Sequence, residues 1–347
     1  MSLATAIKTG DVGQLPSRRQ EAWRWSDLRG ALRAMPAASA PLDPAAVAPG
    51  PFAEQAQETV LFLNGALAAG PAAVTIEPGR AAPLALRFVS AGEGAHAAAW
   101  SLTLAPGASL VLLESYEGQG AGVSDAALHI TLGEGARLER IVLVDEAEGA
   151  ISVSLAEVTL SPHAQFAQTV LTAGAKRQRA ETQVRHPGGG AAVRLDGVYL
   201  LDGTRHADLT TRLVHEGVDG TADQLTKGAV RGQARAVFQG KIVVAQGADR
   251  TDARMGHHAL ILSDKAEVDA KPELEIYADD VSCAHGNTVG ALDEEAVFYA
   301  AQRGVPEAEA RAMLTEAFVA EVVDRIAHDG ARAVAEAWVA ARLGGGG

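Results

Sequence analysis

A thiol and an imidazole separated by a single residue are the side chains in this sequence best suited to metal chemistry. Cys283 is the only cysteine, and His285 follows two positions later. On an extended strand this spacing places both side chains on one face. A thiolate and an imidazole can ligate zinc, iron or an iron–sulfur cluster, but such sites need about four ligands, and clusters take most of theirs from cysteine. A site here would therefore need ligands from another subunit, a small thiol or water. The same spacing also fits a cysteine packed as a small hydrophobic residue beside a locally hydrogen-bonded histidine.

Other polar groups are weaker candidates for chemistry. His257 and His258 are adjacent, and adjacent residues on a strand face apart, so they are not expected to share a metal. Asp279 and Asp280 diverge for the same reason, which favours a turn over a carboxylate pair for acid–base catalysis. No glycine near Asp279 and Asp280 has the spacing of an ATP-binding P-loop. The sequence also lacks the G-x-S-x-G motif of serine hydrolases, although folding could still bring a Ser-His-Asp triad together.

The middle of the chain, from about residue 83 to residue 280, alternates apolar and polar residues in short runs. Alternation with a period of two indicates strands with one buried face. A Gly-Ala-x-Leu unit recurs at Gly107 and Gly135, 28 residues apart. Related units follow at His163, Gly190, His206 and Gln233. A period between about 20 and 50 residues is typical of stacked repeats. The pattern favours a β-solenoid, and it leaves a β-sandwich open as the alternative.

The two ends of the chain have different patterns. The pattern of residues 16–28 predicts a short helix and a turn, and we expect Trp23 and Trp25 to pack this segment on the body of the protein. Residues 34–51 are rich in Ala and Pro, which predicts a linker. From Asp293 onward the pattern is helical: a helix over 295–303 that stops at Gly304, a long amphipathic helix that ends at Gly330, and a last helix over 331–343. The apolar stripe of the long helix repeats every four residues: Leu314, Phe318, Val322 and Ile326, with Met313 and Ala317 beside it.

These patterns divide the chain into three parts. We predict an N-terminal helical segment with its linker over 1–57, a β-helix core over 58–292 and a C-terminal helical domain over 293–347.

Composition excludes several classes of function. The formal net charge of -13 repels phosphate, so neither nucleic-acid binding nor attachment to an anionic membrane is expected. A single cysteine allows no internal disulfide and fits a reducing compartment. The first ten residues lack a signal-peptide core, and no uncharged apolar run approaches the roughly 18 residues that span a bilayer. We expect a cytoplasmic protein.

The run from Lys271 to Asp293, KPELEIYADDVSCAHGNTVGALD, resembles the SufB/SufD family of iron–sulfur cluster assembly proteins. The segment Phe298–Gly304 matches the same family, and its SufD branch fits the length and the C-terminal third best. The resemblance implies a right-handed parallel β-helix core. It also implies that His285 lies at an interface between SufB and SufD and takes part in building the nascent cluster. Cys283 matches a neighbouring family cysteine that can bind metal.

The resemblance further implies partners. The family's C-terminal helices bind SufC, an ABC-type ATPase, which assigns partner binding to five residues: Phe298, Tyr299, Arg303, Leu314 and Phe318. The chain would be a non-catalytic scaffold of a SufB–SufC–SufD complex that supports iron acquisition, and a homodimer when isolated. It would hold no stable cofactor of its own, only transient iron or an iron–sulfur cluster at the SufB interface, with a flavin possible in the complex.

Two readings from other classes remain as alternatives. One is a β-helix enzyme acting on acidic polysaccharide, against which the missing signal peptide and the negative charge both count. The other is a homodimeric structural module without metal chemistry.

Overall fold

A stack of coiled strands forms most of the molecule in the computed structural model, which describes residues 2–80 and 82–344. One sheet has ten strands in the order β18-β16-β14-β12-β10-β8-β6-β4-β1-β2, and the other has eight in the order β17-β15-β13-β11-β9-β7-β5-β3. The strands are β1 Glu58–Leu63, β2 Ala66–Ala69, β3 Ala73–Ile76, β4 Leu84–Ala91, β5 Ala95–Leu104, β6 Ser109–Gln119, β7 Val123–Leu132, β8 Arg137–Asp145, β9 Ile151–Leu160, β10 Gln165–Thr172, β11 Arg177–His186, β12 Ala192–Leu201, β13 His206–His215, β14 Thr221–Val230, β15 Arg235–Val244, β16 Thr251–Ile261, β17 Glu267–Ile276 and β18 Val281–Gly290.

Nearly all strand pairs are parallel. From β3 to β16, each strand pairs with the strand two positions later in the chain, so the chain alternates between the sheets as it coils. Among the described strands only β1 and β2 form an antiparallel pair, and Ala175 and His206 form an isolated antiparallel bridge. This topology is a parallel β-solenoid, which confirms the prediction and excludes the β-sandwich.

The sequence repeat marks the corners of the coils. Gly107, Gly135 and Gly190 adopt φ values of 72°, 63° and 69° before a strand of the ten-stranded sheet, and His163 adopts 59° at the equivalent corner. Each is followed by an alanine with no exposed surface: Ala108, Ala136, Ala164 and Ala191. The corner therefore needs a left-handed residue and then a small buried one, which is the origin of the Gly-Ala-x-Leu unit. His206, which begins β13, belongs to the opposite sheet.

The N-terminal segment lies on the outside of the solenoid. Helix α1, Leu3–Thr9, begins at the Ser2 cap and ends at Gly10. The short helix expected within residues 16–28 is a 3-10 helix of one turn, Glu21–Trp23, and a further helical turn, α2, follows at Leu28–Ala31. The expected packing is confirmed, because the Arg179 guanidinium lies 4.4 Å from the centroid of the Trp23 ring.

The linker also follows the surface of the solenoid. Ala38 forms a parallel bridge with Ala95, and the Arg87 guanidinium donates to the Ala48 carbonyl at 2.9 Å. Phe52 is buried in an apolar cluster beneath the C-terminal helices. The Ala/Pro-rich stretch is thus bound along its length.

Three helices complete the chain: α3 Glu294–Gln302, α4 Glu307–Val323 and α5 Asp329–Gly344. Asp293 caps α3 by accepting from the backbone N–H groups of the first turn. The predicted end of the long helix at Gly330 is wrong, since α4 ends at Val323 and Gly330 lies in the first turn of α5. Within the described residues, no helix is long and apolar enough to cross a membrane.

The buried face of α4 is rotated from the predicted stripe. Val322 and Ile326 are buried as expected, but Met313 and Ala317 are exposed. The buried residues of α4 instead include Ala310, Thr315 and Val319. The helix packs on outward side chains of the ten-stranded sheet, among them Val198 and Leu225.

Candidate metal site at the open rim

The last coil of the solenoid, β17 and β18, is called here the open rim. β17 pairs only with β15, and β18 pairs only with β16, so within the described residues each has one edge without a strand partner. The C-terminal helices lie against earlier strands and do not cover this end. Large apolar side chains at the rim are exposed: Ile276, Tyr277 and Val289. Unpaired backbone groups beside exposed apolar residues are a template for pairing with another strand.

Cys283 and His285 both lie on β18 and point to the same side. Their partners across the ladder are Ala253 and Met255 of β16, which are fully buried in the solenoid core. The two side chains therefore extend the inward-facing stack to the rim. Cys283 is half-buried against the core and His285 is exposed. Burial raises the pKa of the Cys283 thiol, so it carries its proton at neutral pH until a metal or base removes it.

A hydrogen-bond chain centred on the buried His257 supports the same face of β18. The Nδ1 atom of His257 lies 2.6 Å from Oδ1 of Asn287, and its Nε2 lies 2.9 Å from the Tyr199 hydroxyl. An amide oxygen only accepts, so Nδ1 carries the proton and Nε2 accepts from Tyr199. Burial lowers the pKa of His257 to about 4, which keeps the ring neutral. The ring also stacks on Phe238 with centroids 4.6 Å apart. We call Tyr199, His257 and Asn287 the rim relay, because it ends two residues from His285.

The other candidate groups behave as strand geometry predicts. His258 turns away from His257 and lies 2.7 Å from the Thr288 hydroxyl. Asp279 and Asp280 lie in the bend between β17 and β18, where the Asp280 carbonyl accepts from the Arg250 N–H at 2.6 Å. Among residues 2–80 and 82–344, no group of three or more His, Cys, Asp or Glu side chains is arranged to hold a metal ion.

Folding does bring a serine, a histidine and an aspartate together, but not as a catalytic triad. Ser26 donates to the Asp208 carboxylate, which also pairs with Arg179 at 2.7 Å. His206 Nε2 lies 3.0 Å from the Trp25 carbonyl and 3.5 Å from the Ser26 hydroxyl. Its Nδ1, which would face the aspartate in a triad, has no hydrogen-bond partner among the described residues. All of these side chains are buried except Trp25, which is half-buried. The cluster therefore attaches the N-terminal segment to the solenoid.

The five residues predicted to bind a partner separate into two groups. Phe298 and Tyr299 of α3 are 65% and 59% exposed, and the Arg303 guanidinium lies 4.3 Å from the Tyr299 ring centroid. Leu314 and Phe318 of α4 are half-buried, and the Lys227 ammonium lies 4.6 Å from the Phe318 ring centroid. The exposed part of the predicted surface is thus the α3 patch, defined as Phe298, Tyr299 and Arg303.

Comparison with known proteins identifies the fold family. Residues 88–318 match the family model described as the SUF system FeS cluster assembly SufBD core domain. The chain is 38% identical over 182 residues to the iron–sulfur cluster assembly protein SufD of Escherichia coli. That alignment covers 52% of this chain and 43% of the Escherichia coli protein. It is 35% identical over 156 residues to a SufBD family protein of Synechocystis, covering 45% and 34%. Identity to SufD of Bacillus subtilis is 32% over 135 residues, covering 39% and 31%.

These alignments span less than half the length of each relative. The family model, however, covers well over half of the present chain, from β4 to the middle of α4, and includes the whole open rim. The match confirms the resemblance carried by the Lys271–Asp293 run and counts against a polysaccharide-acting enzyme. The chain belongs to the SufB/SufD family of iron–sulfur cluster assembly proteins.

Proposed function

We propose that this chain is a non-catalytic, SufD-like scaffold in iron–sulfur cluster assembly. Cys283 and His285 supply part of a transient site for iron or a nascent cluster, and a SufB chain supplies the rest across the open rim. The observation that carries the proposal is the position of both side chains on the last strand of the solenoid, beside a strand edge that has no partner strand among the described residues. The iron or cluster is cargo, so the chain itself keeps no resident metal.

The chemistry of the pair supports shared ligation. A tetrahedral iron or cluster site needs about four ligands, and one thiol and one imidazole leave two to be supplied by a partner. The rim relay holds the backbone beside the pair, which fixes where a partner's ligands must arrive. The raised pKa of Cys283 means that metal binding releases a proton from the thiol.

The α3 patch is the proposed docking surface for SufC. Two exposed aromatic rings on one short helix, with an arginine at its C-terminal cap, are the residue types that dominate protein interfaces. In the absence of SufB, the open rim would pair with a second copy of the chain. The SufB–SufC–SufD complex would work in the cytoplasm, and any flavin would be held by that complex and not by this chain alone.

The experiment is co-expression with SufB and SufC, purification under argon and measurement of visible absorption from the assembled cluster. His285→Ala should lower the cluster absorbance strongly, and Cys283→Ser should lower it as well or shift its spectrum. His129→Ala is the matched control, because His129 is an exposed histidine whose Nδ1 lies 3.0 Å from Glu157 on the opposite sheet. Normal assembly by the His285 variant, in a complex that still forms, would refute the proposed role.

Docking of SufC is tested separately by pull-down. Phe298→Ala combined with Tyr299→Ala should abolish capture, whereas Met313→Ala, another exposed apolar residue of the helical domain, should not. Point variants are preferable to deletion of α4 and α5, because deletion would uncover the apolar cluster that includes Val319 and Val322. Undiminished capture by the double variant would place the docking surface elsewhere.

A further inference from the structure

A cleft of about 580 Å³ separates the C-terminal helices from the ends of strands β12, β14 and β16. Four arginines from four different parts of the chain converge on it: Arg205, Arg231, Arg311 and Arg342. Among the described residues, Asp202 is the only acidic one in the lining, although the chain as a whole carries a net charge of -13. We call this space the arginine cleft.

Three of the arginines have carboxylate partners on the cleft's edge. Arg231 pairs with Asp202 at 2.8 Å, and Arg311 pairs with Glu294 at 2.8 Å and with Glu307 at 3.0 Å. Arg342 pairs with Asp145. The guanidinium side chains are 35%, 38% and 32% exposed, and ion pairs this close to water contribute little stability. They can therefore turn toward a stronger anion at little cost.

Arg205 is the exception. Its Nη1 donates to the carbonyl oxygens of Glu146 at 2.9 Å and Gly174 at 2.8 Å, and among the described residues it makes no ion pair. Two carbonyl groups accept from Nη1 without neutralising the charge of the guanidinium. The side chain is half-buried, so an uncompensated positive charge is held beside the cleft, where an anion would offset the cost of burying it.

We propose that the arginine cleft binds a small phosphate-bearing molecule. Guanidinium groups bind phosphate oxygens through paired N–H donors, and a multiply charged oxyanion can engage several of them at once. Most of the remaining wall is apolar and includes Leu200, Leu262 and Leu343, which suits the organic part of a phosphate ester. Ser263 and Thr315 add hydroxyl groups to the same wall. The volume lies in the usual range for small-molecule sites. This proposal is independent of the metal site at the open rim.

Binding at this position has a mechanical consequence. Arg205 and Arg231 belong to the solenoid, whereas Arg311 and Arg342 belong to α4 and α5. An anion held by both pairs would clamp the C-terminal helices to the solenoid. Because it binds only the docked arrangement, the ligand raises the stability of that arrangement by mass action.

The test is thermal unfolding and calorimetry of the full chain with sodium pyrophosphate as the probe, against sodium chloride at matched ionic strength. Pyrophosphate should raise the melting temperature by several degrees. Arg205→Ala should raise the dissociation constant about tenfold or more, as expected for loss of a charged hydrogen-bond donor. Arg185→Ala should leave it unchanged, since Arg185 is an exposed arginine that pairs with Glu216 away from the cleft.

Two further outcomes decide the proposal. If Arg205→Ala does not fold, Arg231→Gln replaces it, because Arg231 makes only an exposed ion pair and its loss should weaken pyrophosphate binding by a similar factor. The proposal is overturned if pyrophosphate gives no shift beyond that of chloride. It is also overturned if the folded cleft variants bind pyrophosphate as tightly as the Arg185 control.

Discussion

Replacing His257 with alanine tests whether the rim relay holds the candidate metal site in place. His257 is fully buried and joins Tyr199 on β12 to Asn287 on β18, beneath Cys283 and His285. The substitution removes both hydrogen bonds and the stacking on the Phe238 ring. We expect the fold to survive with a loosened last strand.

The magnitude follows from what each partner loses. Loss of the buried ring leaves a cavity, and large-to-small changes in cores cost about 2–5 kcal/mol. The Tyr199 hydroxyl becomes a buried donor without a partner, which adds roughly 1–3 kcal/mol. Asn287 is exposed, so water replaces its lost bond. Since neighbouring effects are not additive, we expect a total loss of about 3–5 kcal/mol.

The adjacent histidine supplies the control. His258→Ala removes a half-exposed ring with one hydrogen bond at the surface and should cost less than about 1 kcal/mol. Urea unfolding measures both losses, and hydrogen exchange at β18 reports whether the last strand opens. Equal costs for the two variants, or unchanged exchange at β18 in the His257 variant, would refute the idea that the relay positions this strand.

Three other experiments test buried groups of the solenoid. Burial raises the pKa of Glu146 to about 7, from an unfolded-state pKa near 4.5. The contribution of this carboxyl group to the free energy of unfolding is therefore greatest below pH 4.5 and is lost as the pH rises through 7. Glu146→Gln should therefore raise the free energy of unfolding by about 3 kcal/mol at pH 8 and change it little at pH 4.5. Urea unfolding curves of the variant that match those of the unsubstituted protein at both pH values would contradict this. The buried Arg140 guanidinium donates to the Glu114 carboxylate at 2.6 and 2.7 Å. Glu114→Leu should therefore lower the free energy of unfolding by about 3–5 kcal/mol, because it leaves the Arg140 charge without a partner. Adding Arg140→Met should restore most of that loss in a double-mutant cycle. Gly228→Ala should cost at least ~1 kcal/mol, because the new Cβ would lie 2.2 Å from the Tyr199 ring, and an unchanged denaturation midpoint would count against so tight a fit.

The coils were predictable from the sequence because their corners impose a local rule. A left-handed residue followed by a buried alanine leaves a mark at Gly107 and Gly135 that needs no knowledge of tertiary contacts. The shared face of Cys283 and His285 was predictable for a similar reason, since it follows from strand geometry alone.

Features that depend on packing between distant segments were not predictable in this way. The rim relay joins Tyr199 to His257, which are 58 residues apart and meet only through the register of successive coils. The buried face of α4 was misplaced because it includes Ala310 and Thr315, which a search for large apolar residues passes over. Arg205 gave no signal at all, since its neighbours come from other coils.

Among the described residues nothing caps the last coil, and this bears on when the proposed metal ligands, Cys283 and His285, become ordered. In a stacked repeat each coil is supported by its neighbours, and the terminal coil has only one, so fraying should begin there and progress inward. The helices brace the middle coils, which leaves the Cys283 strand as the most labile layer of the stack. A partner that adds a strand to this end would supply the missing neighbour, so ligand ordering and complex formation would occur as a single cooperative event.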